Sequence, residues 1–354
     1  MGAAEPPKVV LVTGVSRYLG GRLAAVLAAD PRIERVIGVD SVPPAREMLQ
    51  ALSRTEFVRA DIRNPLIAKV ISTAEVDTVV HMNIGTSPGR AGGRTSMKEL
   101  NVIGTMQLLA ACQKAESLQR LVVKSTTTVY GSSPRDPALF TEDTDARAIP
   151  SSGYAKDSVE IEGYVRGFAR RRPDVLLAVL RFTNFIGRHI DSMLTRYFAM
   201  PLVPTVFGFD ARVQMLHEDD ALEVLRLATV GNYNGTVNVG GQGVILLSQA
   251  IRRAGRIPVS VPSPLVGPLG GMLRRAGIAD FSPEQLRFLN FGRVVDITRL
   301  IDDFGYRPRY STAEAFAEFC DTHPPVIDPG LIREAERTLL RAATLNRIQE
   351  PVDA

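Results

Sequence analysis

A run of hydroxyl side chains, Ser125 to Thr128, has the types and spacing that could do chemistry. It lies in the segment KSTTTVYG, Lys124–Gly131, directly after the apolar run LVV, a pattern typical of the carboxyl end of a buried strand. Hydroxyls in such a place are costly unless they have hydrogen-bond partners, and they can polarise an oxygen atom of a substrate. A purely structural ladder of hydroxyls is the other interpretation.

A second candidate site lies near the N-terminus, in the stretch VVLVTGVSRYLG from Val9 to Gly20. Apolar and β-branched residues end at Gly14 and a helical pattern opens at Gly20, so the pattern predicts a strand, a tight turn and a helix. The free amides at a helix N-terminus bind phosphate groups, and dinucleotide-binding turns place three glycines there. Arg17 occupies the middle glycine position, where its side chain could lie over a pyrophosphate as a counter-charge.

Acidic residues end the next two predicted strands. Asp40 closes the second strand, where a carboxylate accepts hydrogen bonds from an adenosine ribose and repels a 2′-phosphate. This favours NAD over NADP, although Arg46 could complicate the preference. Asp61, with Ile62 beside it, could hold an adenine ring. The alternative is that Asp61 caps the next helix, but Asn64 could make that cap and leave Asp61 free.

Alternating strands and helices must position these residues. The predicted strands are Val9–Val12, Val36–Val39, Phe57–Ala60, Thr78–His81, Leu121–Ser125 and Leu176–Arg181, and the predicted helices are Gly20–Ala29, Pro65–Thr73, Met97–Ala115 and Tyr154–Arg171. This alternation predicts an α/β fold with a doubly wound parallel sheet of the Rossmann type, which binds ligands at the carboxyl ends of its strands. Glycine and proline become frequent after Arg181, which predicts a smaller mixed α/β lobe.

We therefore expect an NAD-binding Rossmann domain at 8–182, an interleaved substrate-binding lobe at 183–325, and a C-terminal helix and tail at 326–354. The last helix is predicted at Pro329–Arg347. Residues Ser260–Gly271 form an apolar loop rich in proline and glycine. It is interpreted as an ordered loop over the core or, less readily, as a lid or a contact for an apolar ligand.

Bulk composition narrows the class of protein. The 354 residues carry a net charge of +4 with 45% hydrophobic residues, values ordinary for a globular protein. Short arginine runs without interleaved aromatic residues do not indicate a nucleic-acid site. Two cysteines favour a reducing compartment, and no apolar stretch approaches the ~20 residues that span a bilayer. We expect a cytoplasmic protein without a signal peptide, a transmembrane segment or a metal site.

In this order, the motifs resemble those of the extended short-chain dehydrogenase/reductase superfamily. The resemblance is greatest to its NAD-dependent epimerase/dehydratase group, which includes UDP-galactose 4-epimerase. It covers roughly residues 8 to 320 and rests on VTGVSRYLG, the acidic strand end at Asp40, ADIRNP, VVHMN, ELNVIGT, STTTVYG, the Tyr154 segment, LRFTNFIGR, MLHEDDA and NVGG. It implies hydride transfer to or from NAD on a nucleotide-linked sugar, with UDP-glucose 4-epimerase the nearest named activity, and a homodimer formed through the helices at Met97–Ala115 and Tyr154–Arg171.

The resemblance also implies roles for single residues. Tyr154 would be the general acid–base residue, Thr126 would hydrogen-bond the same substrate oxygen, and Asn184 would contact a substrate diphosphate. The turn from His217 to Asp220 would be structural. The cofactor-binding residues, including those found above, are Gly14, Arg17, Leu19, Gly20, Asp40, Asp61, Ile62, His81, Asn101 and Ser158.

The sequence departs from the family at the lysine that follows the tyrosine by four residues. In the family this lysine binds the nicotinamide ribose and lowers the tyrosine pKa, but Ser158 stands in its place here. Lys156 lies about 200° round the helix from Tyr154 and cannot substitute. Lys124 and Arg17 are the candidate sources of the missing charge.

Two classes of function remain open from the sequence. The first is an NAD-dependent epimerase, dehydratase or reductase. The second is a weakened NAD-binding sensor or scaffold, which the missing lysine, Arg17 and the unusual pair Met82-Asn83 favour. A reductase of a less polar substrate is a related possibility, suggested by the apolar loop at Ser260–Gly271.

Overall fold

A parallel sheet of seven strands forms the centre of the computed structural model. The structure describes residues 6–84, 93–146, 150, 153–262 and 283–328, and the single residues 330, 334 and 338. In spatial order the strands are β3 (Glu56–Arg59), β2 (Arg35–Asp40), β1 (Val9–Thr13), β4 (Thr78–His81), β5 (Arg120–Thr126), β6 (Leu176–Phe182) and β11 (Gly235–Val239). Every pairing in this sheet is parallel. The predicted Rossmann-type α/β fold is therefore confirmed.

Helices cover both faces of this sheet. Those of the first half are α1 (Tyr18–Ala29), α2 (Arg46–Ala51), α3 (Leu66–Thr73), α4 (Gly93–Lys98), α5 (Gly104–Lys114) and α6 (Gly153–Arg171). One apolar cluster joins α1 and α8 (Glu218–Val230) to one face, and a second joins α3, α5 and α6 to the other. Because both faces are covered, the central strands are continuous runs of Val, Leu and Ile, which made them predictable from the sequence.

Two features of this half differ from the expectations. The helix predicted at Met97–Ala115 is interrupted, because a π-helical segment, Glu99–Ile103, joins α4 to α5. Strand β11 was not predicted, since its sequence GTVNV lies in the glycine-rich half and Asn238 interrupts its apolar pattern. It pairs with β6, so the chain returns to the central sheet after leaving it.

The described residues of the second lobe form three short strand pairs and several helices. The strands are β7 (Asn184–Ile186) with β10 (Met215–His217), β8 (Leu202–Val206) with β13 (Ile257–Val261), and β9 (Arg212–Val213) with β12 (Ile245–Leu246). The helices are α7 (Met193–Ala199), α9 (Leu247–Arg253), α10 (Pro283–Phe291), α11 (Thr298–Asp302) and α12 (Thr312–Asp321). Residues from many of these elements share one apolar core, which includes Phe198, Met215 and Phe316.

Some sequence predictions fall on undescribed parts of the chain. The loop at Ser260–Gly271 lies outside the described residues beyond Pro262, as does nearly all of the helix predicted at Pro329–Arg347. Among the helices that are described, none is long and apolar enough to cross a membrane. Cys112 and Cys320 are both free thiols; Cys112 is buried in the core, and burial raises the pKa of its thiol to about 12.

Candidate active site

The turn between β1 and α1 brings backbone segments closer together than a side chain would allow. Gly14 has a φ of +77°, and a Cβ there would lie 3.1 Å from the backbone of Asn83. A Cβ on Gly20 would lie 2.2 Å from the carbonyl oxygen of Gly14. Only glycine fits at these two positions, and the predicted tight turn is present.

The first amides of α1 provide a seat for phosphate groups. Arg17, the residue before the helix, makes no side-chain capping hydrogen bond. The N–H groups of Tyr18, Leu19 and Gly20 therefore remain donors that the helix cannot use internally. Together with the positive end of the helix dipole they suit a pyrophosphate. Arg17 is exposed beside them, where a guanidinium can pair with a phosphate.

Asp40 ends β2, next to the turn between β1 and α1, where the adenosine ribose of a bound dinucleotide would lie. Its carboxylate is 7% exposed, and it accepts the amides of Ser16 at 3.1 Å and Ser41 at 2.8 Å. A carboxylate has about four acceptor sites, so Asp40 can hold the turn and still accept a ribose hydroxyl. The glycine cradle, the helix amides and Asp40 together fit a dinucleotide such as NAD.

Asp61 and Ile62 both have partners within the protein. The Asn64 side chain accepts the amide hydrogen bond of Leu66, at 3.0 Å, at the start of α3. The expectation that Asp61 is then left free was wrong, because its carboxylate forms a 2.6 Å ion pair with Arg63, which lowers the pKa of Asp61. Ile62 is buried against Gly104 of α5. A role for either residue in binding adenine remains a prediction.

His81 stands at the centre of a buried chain of hydrogen bonds. Two amides after β4 donate to Thr13 Oγ1, so the Thr13 hydroxyl donates its own proton to His81 Nδ1, at 2.9 Å. His81 Nε2 then donates to Thr105, at 2.9 Å, and Thr105 donates to the carbonyl of Asn101 in the π-helical segment. Burial lowers the pKa of His81 to about 3, which keeps the ring neutral. Both ring nitrogens are thus used within the protein, and His81 positions the sheet edge rather than presenting a nitrogen to a cofactor.

Thr126 and Tyr154 come together at the carboxyl edge of the sheet. Burial of the Tyr154 phenol raises its pKa to about 12, although hydrogen bonds with the side chains of Ser158 and Thr126 oppose the shift. The Ser158 hydroxyl also donates to the carbonyl of Tyr154, at 2.9 Å. Lys156 is exposed on another face of α6, as the helix period predicts. Tyr154 therefore stays protonated near neutral pH.

Among the other hydroxyls of the run, Ser125 is bonded within the protein and Thr128 is available to a ligand. Ser125 donates to the buried carboxylate of Glu162, at 2.6 Å, which accounts for it structurally. The Thr128 hydroxyl is buried and has no hydrogen-bond partner among the described residues. Thr128 is the last residue of the hydroxyl run, and only Thr126 of that run was predicted to contact the substrate. The unsatisfied oxygen of Thr128 is suited to a bound molecule.

The proposed substitutes for the missing lysine lie at the same edge. The positive charge of Arg17 lowers the pKa of both Tyr154 and Lys124. Lys124 is part of β5 and is partly buried.

The second lobe meets this edge through β7. Asn184, its first residue, is partly exposed and pairs with Met215 of β10. Contact of Asn184 with a substrate diphosphate remains a prediction. Asp220, at the start of α8, accepts the Tyr306 hydroxyl at 2.6 Å and the amide of Arg309 at 2.9 Å, so it joins α8 to the segment before α12. In the part of the chain that the structure covers, no three His, Cys, Asp or Glu side chains are grouped to hold a metal.

A sequence model of the NAD dependent epimerase/dehydratase family matches residues 10–240. The chain belongs to this family. The matched range begins in β1 and ends inside the NVGG motif after β11, so it includes the glycine turn, the hydroxyl run and Tyr154. The family membership expected from the motifs is confirmed.

Relatives and solved structures agree with this membership. A Mycobacterium tuberculosis (strain H37Rv) protein described as uncharacterized is 53% identical over 332 residues, which are 93% of this chain and 88% of the relative. The structure of UDP-glucose 4-epimerase from Thermotoga maritima with UDP-glucose has a TM-score of 0.67 at 18% identity, covering 89% of this chain and 98% of that one. dTDP-glucose 4,6-dehydratase from Bacillus anthracis, in complex with NAD, also has a TM-score of 0.67 at 18% identity, with 89% and 96% covered. At these identities the two structures show the shared fold.

Proposed function

We propose that this member of the epimerase/dehydratase family binds NAD and performs epimerase or dehydratase chemistry on a nucleotide-linked sugar. UDP-glucose 4-epimerase is the nearest named activity. One observation carries the proposal: the glycine cradle, the Asp40 carboxylate and the Thr126–Tyr154 pair all lie at the carboxyl edge of one parallel sheet. This is where such sheets bind dinucleotides and their substrates.

Each part of this edge has a task in the proposed reaction. When bound, NAD would exchange a hydride with a carbon of the sugar. The amides of Leu19 and Gly20 hold the pyrophosphate, with Arg17 as counter-charge, and Asp40 accepts a ribose hydroxyl. Thr126 and the protonated Tyr154 donate hydrogen bonds to the reacting oxygen of the sugar and fix its position.

A second candidate function is a sensor or scaffold that binds NAD without turnover. Two facts favour this function: Ser158 stands where the family has a lysine, and the pKa of Tyr154 is raised. A phenol with a pKa of about 12 is a poor base at neutral pH. The same pocket would then report bound NAD to a partner.

Calorimetry with NAD and conversion of UDP-glucose to UDP-galactose together test the proposal. We expect NAD to bind the wild type, and Tyr154→Phe to lower turnover about a hundredfold or more while NAD still binds. Tyr164→Phe is the matched control, since Tyr164 lies on the same helix but is exposed. Binding without turnover of any nucleotide sugar would favour the sensor, and absence of NAD binding would refute both functions.

Two further properties belong to this proposal. Exposed apolar side chains on adjoining elements, Ile103 after α4, Met106 on α5 and Tyr164 on α6, support a homodimer formed through this face. We also propose that the chain acts in the cytoplasm.

Finally, we propose that the chain is divided into an NAD-binding domain at 8–182, a substrate-binding lobe at 183–325 and a C-terminal part at 326–354.

A further inference from the structure

Lys124 is unusual among the lysines of this chain. The sequence has six lysines, and the other five, at positions 8, 69, 98, 114 and 156, are exposed on the surface. Lys124 is partly buried instead, on strand β5 of the central sheet. Lysine is among the residue types that are least often buried, so this placement on a central strand is uncommon.

The register of β5 places Lys124 beside the candidate active site. Side chains alternate along a strand, so Lys124 and Thr126 lie on the same face, about 7 Å apart along the strand. Val122 shares this face and packs in the cluster that contains α1 and α8. Lys124 therefore lies on the side of the sheet where α1 begins, next to the hydroxyl that contacts Tyr154.

Among the described residues, the Lys124 amine uses only a small part of its hydrogen-bonding capacity. Nζ donates one long hydrogen bond, 3.4 Å, to the carbonyl of Ile84 after β4, and lies 6.0 Å from the centre of the Phe185 ring on β7. No carboxylate forms an ion pair with it in the described residues. The charged and titratable groups that interact with it are Arg17, before α1, and the neutral His81 on β4.

We propose that Lys124 accepts and returns the proton of the reacting substrate hydroxyl, and so replaces from strand β5 the lysine that is missing from α6. The inference rests on the proposed function and deepens it. Thr126 and Tyr154 then hold the substrate oxygen by hydrogen bonds, and the reaction requires no cation at position 158, where Ser158 stands.

The proposed step conserves protons and electrons. The substrate carbinol loses its hydroxyl proton to the neutral amine of Lys124, which becomes an ammonium group. It loses its carbon-bound hydrogen, with two electrons, as a hydride to the oxidised nicotinamide that the proposed function supplies. The return of both forms the new alcohol and restores the neutral amine.

The acid–base properties of the two groups suit these roles. Burial, and then the charge of Arg17, lowers the pKa of Lys124 to about 7, whereas burial raises that of Tyr154 to about 12. A proton carrier works best when its pKa is close to the working pH. Because the neutral amine is the acceptor, oxidation of the alcohol should become faster as the pH rises through about 7.

Competitive labelling of the amines tests the inference without measuring turnover. Limiting acetic anhydride is applied between pH 5 and 11, and each lysine is quantified by mass spectrometry against its own plateau. We expect Lys124 to reach half of its plateau near pH 7 and the exposed lysines near pH ~10.4, and saturating NAD to protect Lys124 but not Lys156. A midpoint for Lys124 equal to that of the surface lysines, or labelling that NAD leaves unchanged although calorimetry shows it bound, overturns the inference.

Variants then test the role in the reaction. Lys124→Met should lower turnover about a hundredfold or more and abolish the rise in rate near pH 7, while Lys156→Met changes neither. Adding Ser158→Lys to Lys124→Met should restore at least a tenth of the wild-type rate. If Lys124→Met binds NAD and keeps the same pH profile, the inference is wrong and the proposed function stands. If wild type binds no NAD in calorimetry, the proposed function fails, and the inference fails with it.

Discussion

At the scale of single residues, a substitution of Gly20 would test how closely the backbone is packed in the turn between β1 and α1. A Cβ at Gly20 would meet the Gly14 carbonyl oxygen at 2.2 Å, and neither backbone segment can give way easily. We expect Gly20→Ala to lower the free energy of unfolding by about 3 kcal/mol and to weaken NAD binding. Urea denaturation and calorimetry measure the two effects.

The matched control is Gly163→Ala on α6. A Cβ at Gly163 approaches only the end of the Arg166 side chain, at 3.9 Å. Because alanine favours a helix, this substitution should stabilise the protein by about 0.5–1 kcal/mol and leave NAD binding unchanged. Equal effects of the two substitutions would show that the turn is not the constraint described here.

His81 makes a prediction about the effect of pH on stability. Its pKa is about 3 in the folded protein and ~6.5 in an unfolded chain, so folding keeps the ring neutral. Its contribution to stability is complete above pH ~6.5 and is lost as the pH falls towards 3, at about 1.4 kcal/mol per pH unit. His81→Gln cannot take up the proton, so its free energy of unfolding should fall less steeply than that of the wild type between pH 6 and 4. The two slopes, measured by urea denaturation, should differ by about 1.4 kcal/mol per pH unit. Parallel declines for the two proteins would contradict the assignment.

At the scale of elements, one buried ion pair joins α6 to the sheet. Glu162 of α6 and Arg181 of β6 are 2.7 Å apart, with side chains 6% and 13% exposed. Ser125 and Tyr130, which both belong to the segment Lys124–Gly131, also form hydrogen bonds with this pair. The pair therefore fixes the helix that carries Tyr154 against the strand that carries Thr126.

Removing both partners of this pair should cost less than the two single removals added together. Arg181→Met leaves the Glu162 carboxylate buried without its cation, and we expect a loss of about 3–5 kcal/mol. The double variant Glu162→Gln/Arg181→Met should lose less than the sum of the two single variants, as measured by urea denaturation in a double-mutant cycle. Strict additivity would mean that the two charges do not interact in the folded protein.

Sequence was most informative about elements whose pattern is local. The six predicted strands match the observed ones to within one residue at each end, because strands buried on both faces are continuous apolar runs. Features that depend on distant partners were not predictable. The π-helical segment accompanies a hydrogen bond between Thr105 and the Asn101 carbonyl, and His81, which looked available to a cofactor, is enclosed by Thr13 and Thr105.

At the scale of the whole molecule, the start of α1, where we propose that the cofactor binds, is in direct contact with the second lobe. The Tyr18 hydroxyl, at the start of α1, lies 3.1 Å from Nδ1 of His189, which follows β7. The same nitrogen lies 2.9 Å from Glu218, at the start of α8. A pyrophosphate on the first amides of α1 would thus lie next to residues that belong to the lobe proposed to bind the sugar, so the two ligands would meet at one edge.

The proposed homodimer would bury the face formed by Ile103, Met106 and Tyr164. These three side chains are about 40% exposed, and their elements contact one another. Sedimentation equilibrium should give twice the chain mass of 38.5 kDa for the wild type. Met106→Glu would place a charge inside the interface, and we expect it to raise the dissociation constant about a hundredfold, or about 2.7 kcal/mol. Val244→Glu, at an equally exposed site in the second lobe, is the control and should leave the dimer intact. A wild type that sediments as a single chain at all concentrations would remove this face from the account, and the apolar side chains on it would then need another partner.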